Sequence, residues 1–317
     1  MEEPLHGATL DEKLERIAEM LRAIADEEPE MRRRVTVLRE SPGYGEPFDK
    51  PDPLVSIVIP TYRAVESLRG RSLPSALAQT HANIEVVVVG DAAPPGVREA
   101  IEQFRDPRVR FENLPLRGPY PDDPDRAWLV TGSAPYNAGV ALARGDWVAP
   151  LADDDAFAPD HVTRLLRAAV ERRLELVYSP LRAHLKDGSE TLVGEFPPRL
   201  SEFGLQGALY HSGLSFMELN LSDEVFDVPN DWSLCRRMLR AGVRIGMIET
   251  PTVDYYPSWE WGGRPRPMQR RAEVASAEDR VLDLERQLAV IASSKSWRLT
   301  APLRAVAGRI RGARRGR

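Results

Sequence analysis

The stretch DWVAPLADDDAFAPDHV, residues 146–162, joins a short apolar run to three consecutive aspartates. Residues 145–149 are typical of the start of a buried strand, and Asp153, Asp154 and Asp155 follow where that strand would end. Adjacent carboxylates repel one another, and each costs free energy when it is desolvated without a partner. Because a bound cation would remove that cost, the stretch predicts a strand that carries carboxylates to a cation-binding edge.

On both sides of this stretch, apolar runs alternate with segments of helical spacing. Residues 54–60 (LVSIVIP) and 84–90 (IEVVVVG) are continuous apolar runs rich in β-branched residues, as in strands buried on both faces. Helices are predicted over 72–80, 97–104, 134–145, 159–173 and 231–243, and further strands over 108–114, 174–179 and 244–249. This alternation predicts a parallel α/β sheet, in which ligands bind at the carboxyl ends of the strands.

The bulk composition is that of a soluble globular protein. The chain has 317 residues, 42% of them hydrophobic and 29% charged, with a formal net charge of -5. Its single cysteine, Cys235, excludes an intramolecular disulfide and a cysteine zinc site, and agrees with a reducing compartment. No run of 18 apolar residues predicts a membrane span, and the acidic start has no apolar signal core. We therefore expect a cytoplasmic protein.

The two ends of the chain have a different character from the middle. Residues 1–53 are interpreted as an amphipathic helix that ends near Pro29, followed by a linker over residues 40–53. The apolar positions of this first helix form a heptad-like seam. Residues 266–317 hold a second heptad-like seam and a basic tail without acidic residues after Lys295. The two seams either pair, within one chain or across a homodimer, or pack on the globular body. The basic tail suits contact with the inner face of an anionic membrane, or it is a disordered solubilising tail.

Four stretches, in order, resemble the successive motifs of the family 2, GT-A-fold glycosyltransferases of bacterial cell-envelope type. They are VSIVIPTYR (55–63), IEVVVVGDAAP (84–94), NAGVALARGDWVAPLADDDAFAPDHV (137–162) and NDWSLCRRMLRAG (230–242). The resemblance implies a GT-A Rossmann-like, mostly parallel sheet flanked by helices over residues 54–265, with helical extensions at both ends. It also implies inverting, metal-dependent transfer of a sugar from a nucleotide-diphosphate sugar to an acceptor hydroxyl.

The family motifs assign a donor site to residues that follow the apolar strands. The residues that they assign to donor binding are Pro60, Thr61, Tyr62, Asp91 and Asp153. UDP or dTDP is expected rather than GDP, because Asp91 matches the carboxylate that accepts a hydrogen bond from the base. A turn or cap residue is the structural alternative for Asp91.

The same resemblance implies a divalent cation, Mg²⁺ or Mn²⁺, at the aspartate run. Asp154 matches the metal ligand, Asp153 faces the ribose or the metal, and Asp155 orients the loop or an acceptor. Oxygen ligands suit both cations, which keep open positions for phosphate oxygens. The chain departs from the family at Ala152, where many members carry a further aspartate, so the division of roles between Asp153 and Asp154 stays open.

The reaction also needs a base, and the motif NDW places Asp231 at the start of a helix where the family carries it. A helix cap is the structural alternative for Asp231. His211, Tyr255 and Trp259 are further candidates for acceptor or donor contacts, and a buried structural histidine is the alternative for His211. The acceptor is expected to be a saccharide or a lipid-linked sugar, and nucleic acid is not expected to bind.

Two other functions compete with sugar transfer. A sugar nucleotidyltransferase shares the nucleotide-binding sheet, but it would carry a glycine-rich phosphate loop with a basic residue after the first strand. The segment after residue 60 offers Arg63 and Arg69 without such a loop. A catalytically inactive glycosyltransferase-like scaffold, held by its terminal helices, is the non-enzymatic alternative.

Overall fold

The computed structural model describes residues 28–221 and 228–257. Both heptad-like seams, the basic tail and Trp259 lie outside these residues. The pairing of the terminal helices, the membrane contact of the tail and the domain boundaries therefore stay predictions. In the part of the chain that is described, no helix is both long and apolar enough to cross a membrane.

A seven-stranded sheet forms the centre of the fold. Its strands are β1 (Val55–Thr61), β2 (Ile84–Gly90), β3 (Val109–Asn113), β4 (Trp147–Pro150), β6 (Leu176–Tyr178), β9 (Ala208–His211) and β10 (Ile245–Met247). Across the sheet they lie in the order β10-β6-β9-β4-β1-β2-β3. Every pairing is parallel except the two made by β9, which runs antiparallel to β4 and β6. The α/β architecture predicted from the sequence is confirmed.

Helices flank the sheet, and those predicted from the periodicity over 72–80, 97–104, 134–145, 159–173 and 231–243 are among them. The helices over 28–40, 46–49, 65–67 and 124–130 were not predicted, and the first of them continues past Pro29, where a helix end was expected. In chain order the helices are α1 (residues 28–40), α2 (Glu46–Asp49), α3 (Val65–Ser67), α4 (Leu73–Leu77), α5 (Pro95–Glu102), α6 (Pro124–Val130), α7 (Ser133–Leu142), α8 (His161–Arg172) and α9 (Asn230–Arg240). A π-helical turn, Leu68–Ser72, joins α3 to α4. Close packing of α7 on β1 requires Gly139, because a Cβ there would lie 2.5 Å from a methyl of Val58.

A second, four-stranded sheet follows the aspartate run. Its strands are β5 (Ala156–Phe157), β7 (Leu181–His184), β8 (Glu190–Val193) and β11 (Val253–Tyr255). Across the sheet they lie in the order β5-β11-β7-β8. Because β5 begins directly after Asp155 and pairs with β11, the aspartate run is held between the two sheets. The hydrophobic pattern of the sequence does not predict this second sheet.

The segment interpreted as a linker, residues 40–53, packs on the body instead. Phe48 is 3% exposed and meets the Trp147 ring edge-on at 5.2 Å between centroids. The Trp147 indole donates to the Pro47 carbonyl at 3.1 Å. The proline and glycine content of the segment thus breaks regular structure without exposing it, because its two aromatic residues, Tyr44 and Phe48, supply the apolar contact.

A buried carboxylate, Glu175, fastens α1 to the sheet. The side chain is fully buried and accepts two hydrogen bonds from Arg39 at 2.7 Å and one from the Tyr44 hydroxyl at 2.7 Å. Burial alone would raise the pKa of Glu175, but these bonds and that from the Arg244 backbone N–H outweigh it, so the pKa is lowered. The carboxylate therefore stays ionised and ties three separate segments together.

Replacing Arg39 by alanine is expected to destabilise the protein by roughly 3 kcal/mol, because the buried Glu175 charge loses its bidentate partner. The matched control is Arg33→Ala on the same helix, whose pair with Glu30 is 65% and 48% exposed. An exposed pair of this kind contributes about 0–1 kcal/mol. Urea denaturation measures both variants, and equal losses of unfolding free energy would contradict the role given to Glu175.

Candidate active site

Parallel pairing brings the ends of three neighbouring strands to one edge of the main sheet. In the register, Val58 of β1 lies opposite Pro150 of β4, and Thr61 lies opposite Gly90 of β2. The pairing continues past β2, where the Asp91 N–H donates to the Thr61 carbonyl at 2.8 Å. Thr61, Asp91 and the aspartates that follow β4 therefore share the carboxyl edge, as the sequence predicted.

The aspartates Asp153 to Asp155, here called the carboxylate turn, are held by main-chain contacts. Asp155 is fully buried, and one carboxylate oxygen accepts from the Tyr256 N–H at 2.9 Å. Its other oxygen, Oδ2, is buried and has no hydrogen-bond partner among the described residues. The Asp154 backbone carbonyl accepts from Arg71 at 2.6 Å.

Burial and mutual repulsion disfavour the charges of this turn. Burial and the Asp154 charge raise the pKa of Asp153 to about 6. Burial, with the charges of Asp154 and Asp153 added to it, raises the pKa of Asp155 well above its usual range. Burial also raises the pKa of Asp154, although Arg71 opposes that shift. Without a further cation, the turn is therefore destabilising when ionised.

The donor set of the turn fits a hard divalent cation in an open site. Its donor atoms are carboxylate oxygens, the type that Mg²⁺ and Mn²⁺ favour, and the buried Oδ2 of Asp155 has no hydrogen-bond partner among the described residues. Within the described ranges, no three side chains of His, Cys, Asp or Glu form a cluster that could enclose a metal ion. An open site of this kind needs phosphate oxygens or water for the remaining positions, which is how Mg²⁺ is commonly held.

Asp91 is satisfied by the chain's own loop after β3. One oxygen accepts from the Gly118 N–H at 2.8 Å, and Arg117 Nε lies 3.9 Å from the other. The Arg117 guanidinium stacks over Tyr62 at 4.4 Å from the ring centre. Tyr120 also bonds to Asp91, and its own pKa is raised by burial first and by that bond. A nucleobase that hydrogen-bonds to Asp91 must therefore displace some of these contacts.

The sequence pattern does not identify Arg117 and Tyr120 as site residues. They lie in a loop between β3 and α6 that has neither hydrophobic periodicity nor a recognisable motif. The one signal that could have found them is position, because this loop follows a strand of the parallel sheet and so starts at its carboxyl edge.

Asp231 lies at the first turn of α9, and topology places that turn at the same edge. The helix precedes β10, which runs parallel to β6, so its first residues lie near the carboxyl ends of the strands. Asn230 confirms this placement, because its amide donates to Ser133 Oγ at the start of α7 at 2.8 Å. Asp231 Oδ1 accepts from the Trp232 N–H at 2.7 Å.

The structure does not bring His211 to this edge. The residue lies opposite Trp147 in the β4–β9 register, at the amino end of β4. Its ring is 3% exposed, stacks on Tyr44 at 5.3 Å and accepts from the Gly213 N–H at 2.9 Å. Burial lowers the pKa of His211, so the residue is a neutral part of the core that holds residues 44–48.

The two remaining candidates lie on different parts of the chain. Pro60 lies within β1, opposite Val89, and so precedes the edge by one residue. Tyr255 ends β11, next to the Tyr256 N–H that holds Asp155.

Comparison with known proteins gives a family match over much of the described chain. The model of the family described as "Glycosyl transferase family 2" matches residues 56–120 and 130–239. The succinoglycan biosynthesis protein ExoO of Rhizobium meliloti is 36% identical over 118 residues, which is 37% of this chain and 30% of that protein. The amylovoran biosynthesis glycosyltransferase AmsB of Erwinia amylovora is 26% identical over 228 residues, covering 66% of this chain and 71% of the relative.

Among solved structures, residues 1–349 of TarS from S. aureus, in complex with UDP-GlcNAc, are similar in fold. The TM-score is 0.50 at 17% identity, covering 65% of this chain and 59% of the other. The chain thus spans less than two thirds of ExoO and of this TarS fragment. The shared architecture is of the GT-A type.

The electrostatic cost of the carboxylate turn predicts that Asp153→Asn stabilises the metal-free protein at pH 7.5. A carboxyl with a raised folded-state pKa binds more protons when folded, so its cost grows as the pH rises from about 4 to about 6 and is full above that. Asparagine keeps a hydrogen-bond acceptor without the charge. We therefore expect the free energy of unfolding to rise by about 1–3 kcal/mol in Asp153→Asn.

Urea denaturation in a chelator at pH 7.5 and at pH 5 measures this gain, which should shrink at the lower pH. The control is Asp160→Asn, an aspartate whose Oδ2 accepts from Arg164 at 2.5 Å and which should show no gain. Polar contacts with Thr61 and with the Tyr62 backbone N–H favour the ionised form of Asp153. A loss of stability in Asp153→Asn at pH 7.5 would mean that these contacts outweigh burial and repulsion.

Proposed function

Because the chain belongs to glycosyl transferase family 2, we propose that it transfers a sugar from a nucleotide-diphosphate sugar to an acceptor hydroxyl with inversion. The observation that carries the proposal is the carboxylate turn, whose buried Asp155 and half-buried Asp153 and Asp154 lie at the same edge as Thr61 and Asp91. Relatives named for succinoglycan and amylovoran biosynthesis support a role in surface polysaccharide synthesis.

In this proposal, Asp154 holds a divalent cation and Asp153 contacts either that cation or the ribose. Asp155 keeps the turn in place through Tyr256. When bound, Mg²⁺ or Mn²⁺ would neutralise the diphosphate and the charge that develops on it as it leaves. The ionised carboxylates supply the counter-charge, so cation binding would offset the repulsion within the turn.

Thr61, Tyr62 and Asp91 would hold the nucleoside, with Tyr62 as the stacking surface. The Arg117 guanidinium stacks on the Tyr62 ring and faces Asp91. A bound nucleobase would therefore displace Arg117 from the ring or lie beside it. Uracil and thymine can each donate their N3–H to Asp91, as UDP or dTDP would require. Guanine can donate its N1–H in the same way, so this contact disfavours only bases without such an N–H, and the nucleotide is left to the turnover assay with UDP, dTDP and GDP sugars.

Asp231 would act as the base. Attack by the acceptor oxygen on the face opposite the leaving diphosphate inverts the anomeric carbon, and the hydroxyl proton passes to the Asp231 carboxylate. The position of the residue on α9, whose start contacts the start of α7, supports this role.

Partners of the chain termini belong to the same proposal. A basic segment after residue 294 would hold the enzyme at an anionic membrane surface, where a lipid-linked acceptor is found. The heptad-like seams would pair within the chain or in a homodimer.

Asp154→Asn should abolish donor turnover while the fold survives, because the cation loses its ligand. Release of nucleoside diphosphate from UDP-GlcNAc, and from other UDP, dTDP and GDP sugars, is measured with and without saturating Mn²⁺. Near-normal turnover in folded Asp154→Asn would contradict the assignment.

The same assay separates the competing functions. Formation of a nucleoside triphosphate from a sugar nucleotide and pyrophosphate would indicate a nucleotidyltransferase. Donor binding without turnover, with any acceptor sugar, would indicate an inactive scaffold.

Asp231→Asn should lower kcat by about 10²–10⁴-fold, the usual contribution of general-base catalysis, and leave donor affinity unchanged. Asp160→Asn is the matched control, since it removes a second aspartate at a helix start. Calorimetry of donor binding gives the decisive readout, and a loss of donor affinity in Asp231→Asn would place the residue in the nucleotide site instead.

A further inference from the structure

Arg71 lies beside the carboxylate turn without an ion pair to any of its carboxylates in the described structure. Its Nη1 donates to the Asp154 backbone carbonyl at 2.6 Å. Through space, its charge favours the ionised forms of Asp154 and Asp155 against the burial that raises the pKa of both. A guanidinium has five N–H donors in a planar fork, so most of its hydrogen-bonding capacity is unused by the residues that the structure describes.

The guanidinium is held in place by an aromatic stack. It lies 3.5 Å from the centre of the Tyr256 ring, and the same ring stacks on His184 at 4.7 Å with 12° between the planes. His184 is fixed in turn, with Nε2 2.9 Å from Asp254 and Nδ1 3.3 Å from Glu190. The Arg71 guanidinium is therefore oriented by stacking and by one main-chain hydrogen bond, and its other N–H groups are left for a ligand.

The backbone around Arg71 is specialised as well. The residue lies in the π-helical turn Leu68–Ser72, whose first and last residues are buried. Such turns are rare and are frequently found at functional sites. Arg69 in the same turn pairs with Glu66 at 2.7 Å and is 46% exposed, so the turn directs one arginine to solvent and the other to the carboxylate turn.

We propose that Arg71 is a catalytic residue that binds the diphosphate of the nucleotide sugar. This inference rests on the proposed function of the same site. A planar guanidinium recognises phosphate oxygens with two parallel hydrogen bonds, and a pre-oriented cation stabilises charge that develops in the transition state. As the bond between the anomeric carbon and the β-phosphate oxygen breaks, its electron pair passes to that oxygen. Arg71 stabilises this negative charge, while the acceptor oxygen bonds to the carbon and its proton passes to Asp231.

A purely structural role for Arg71, as a brace for the Asp154 carbonyl, predicts a different result. A brace would hold the carboxylates in position, so its loss would weaken the binding of Mn²⁺ alone and of Mn²⁺ with nucleotide together. If Arg71 instead binds the diphosphate, its positive charge repels Mn²⁺ when no nucleotide is present, because both cations then lie beside Asp154 and Asp155. Removing the Arg71 charge would leave the binding of Mn²⁺ alone unchanged or tighter, and it would weaken only the binding of nucleoside diphosphate.

The test is calorimetry on the full chain with Mn²⁺ alone, and with UDP, dTDP and GDP in turn at saturating Mn²⁺. Arg71→Gln keeps a hydrogen-bond donor without the charge, Arg71→Lys keeps the charge without the fork, and Arg69→Gln is the matched control. We expect Arg71→Gln to weaken nucleoside diphosphate binding by about 10–100-fold, as for the loss of a charge-assisted bond, and Arg71→Lys to restore part of it. Arg69→Gln should bind like the unmodified protein, and thermal melting establishes that each variant is folded.

Each outcome decides the inference. Parallel weakening of Mn²⁺ and nucleotide binding in Arg71→Gln, or unchanged nucleotide binding, overturns the role of Arg71 and leaves the proposed function standing. Failure of the unmodified protein to bind any of the three nucleotides overturns the proposed function, and this inference with it.

Discussion

Parallel pairing of β1 with β4 on one side and β2 on the other is the constraint on which the site depends. Parallel strands end at the same edge, so the chain segments that follow them must meet there. The three strands are buried along almost their whole length, which holds this register within the core. Thr61, Asp91 and the carboxylate turn therefore lie at the same edge although Thr61 and Asp153 are 92 positions apart in the sequence.

The same edge concentrates charge that the fold does not neutralise by itself. The carboxylates of the turn are partly or fully buried and repel one another, and Arg71 beside them bonds to a main-chain oxygen instead of to the carboxylates. The buried charge of Glu175, by contrast, is paired with Arg39, Tyr44 and the Arg244 backbone. The proposed cation would give the carboxylates at the edge the partner that Glu175 already has within the fold.

The predicted elements that the structure confirms are those with strong local patterns. The runs at 54–60 and 84–90 are apolar and β-branched, and the helix at 159–173 is amphipathic, so their hydrophobic pattern alone identifies them. The second sheet was not predictable in this way, because its strands have two to four residues and pair across distant segments. The packing of Phe48 and the burial of His211 depend on the same kind of long-range contact.

Local sequence also could not show which polar side chains meet at the edge. The carboxylate turn and Asp91 were found because each follows a recognisable strand. Arg71, Arg117 and Tyr256 reach the same edge from a π-helical turn and two loops that carry no pattern. Their positions follow from the pairing of β5 with β11 and from the path of the loop after β3, which only the folded chain defines.

The proposed mechanism depends on a divalent cation that is held by the carboxylate turn and binds the donor diphosphate. Its most direct test is a crystal structure with Mn²⁺ and UDP, using the anomalous scattering of manganese to locate the ion. We expect one strong peak about 2 Å from a carboxylate oxygen of Asp154, in contact with both phosphates. A peak at another site, or UDP bound at this edge with no peak beside the turn, would contradict it.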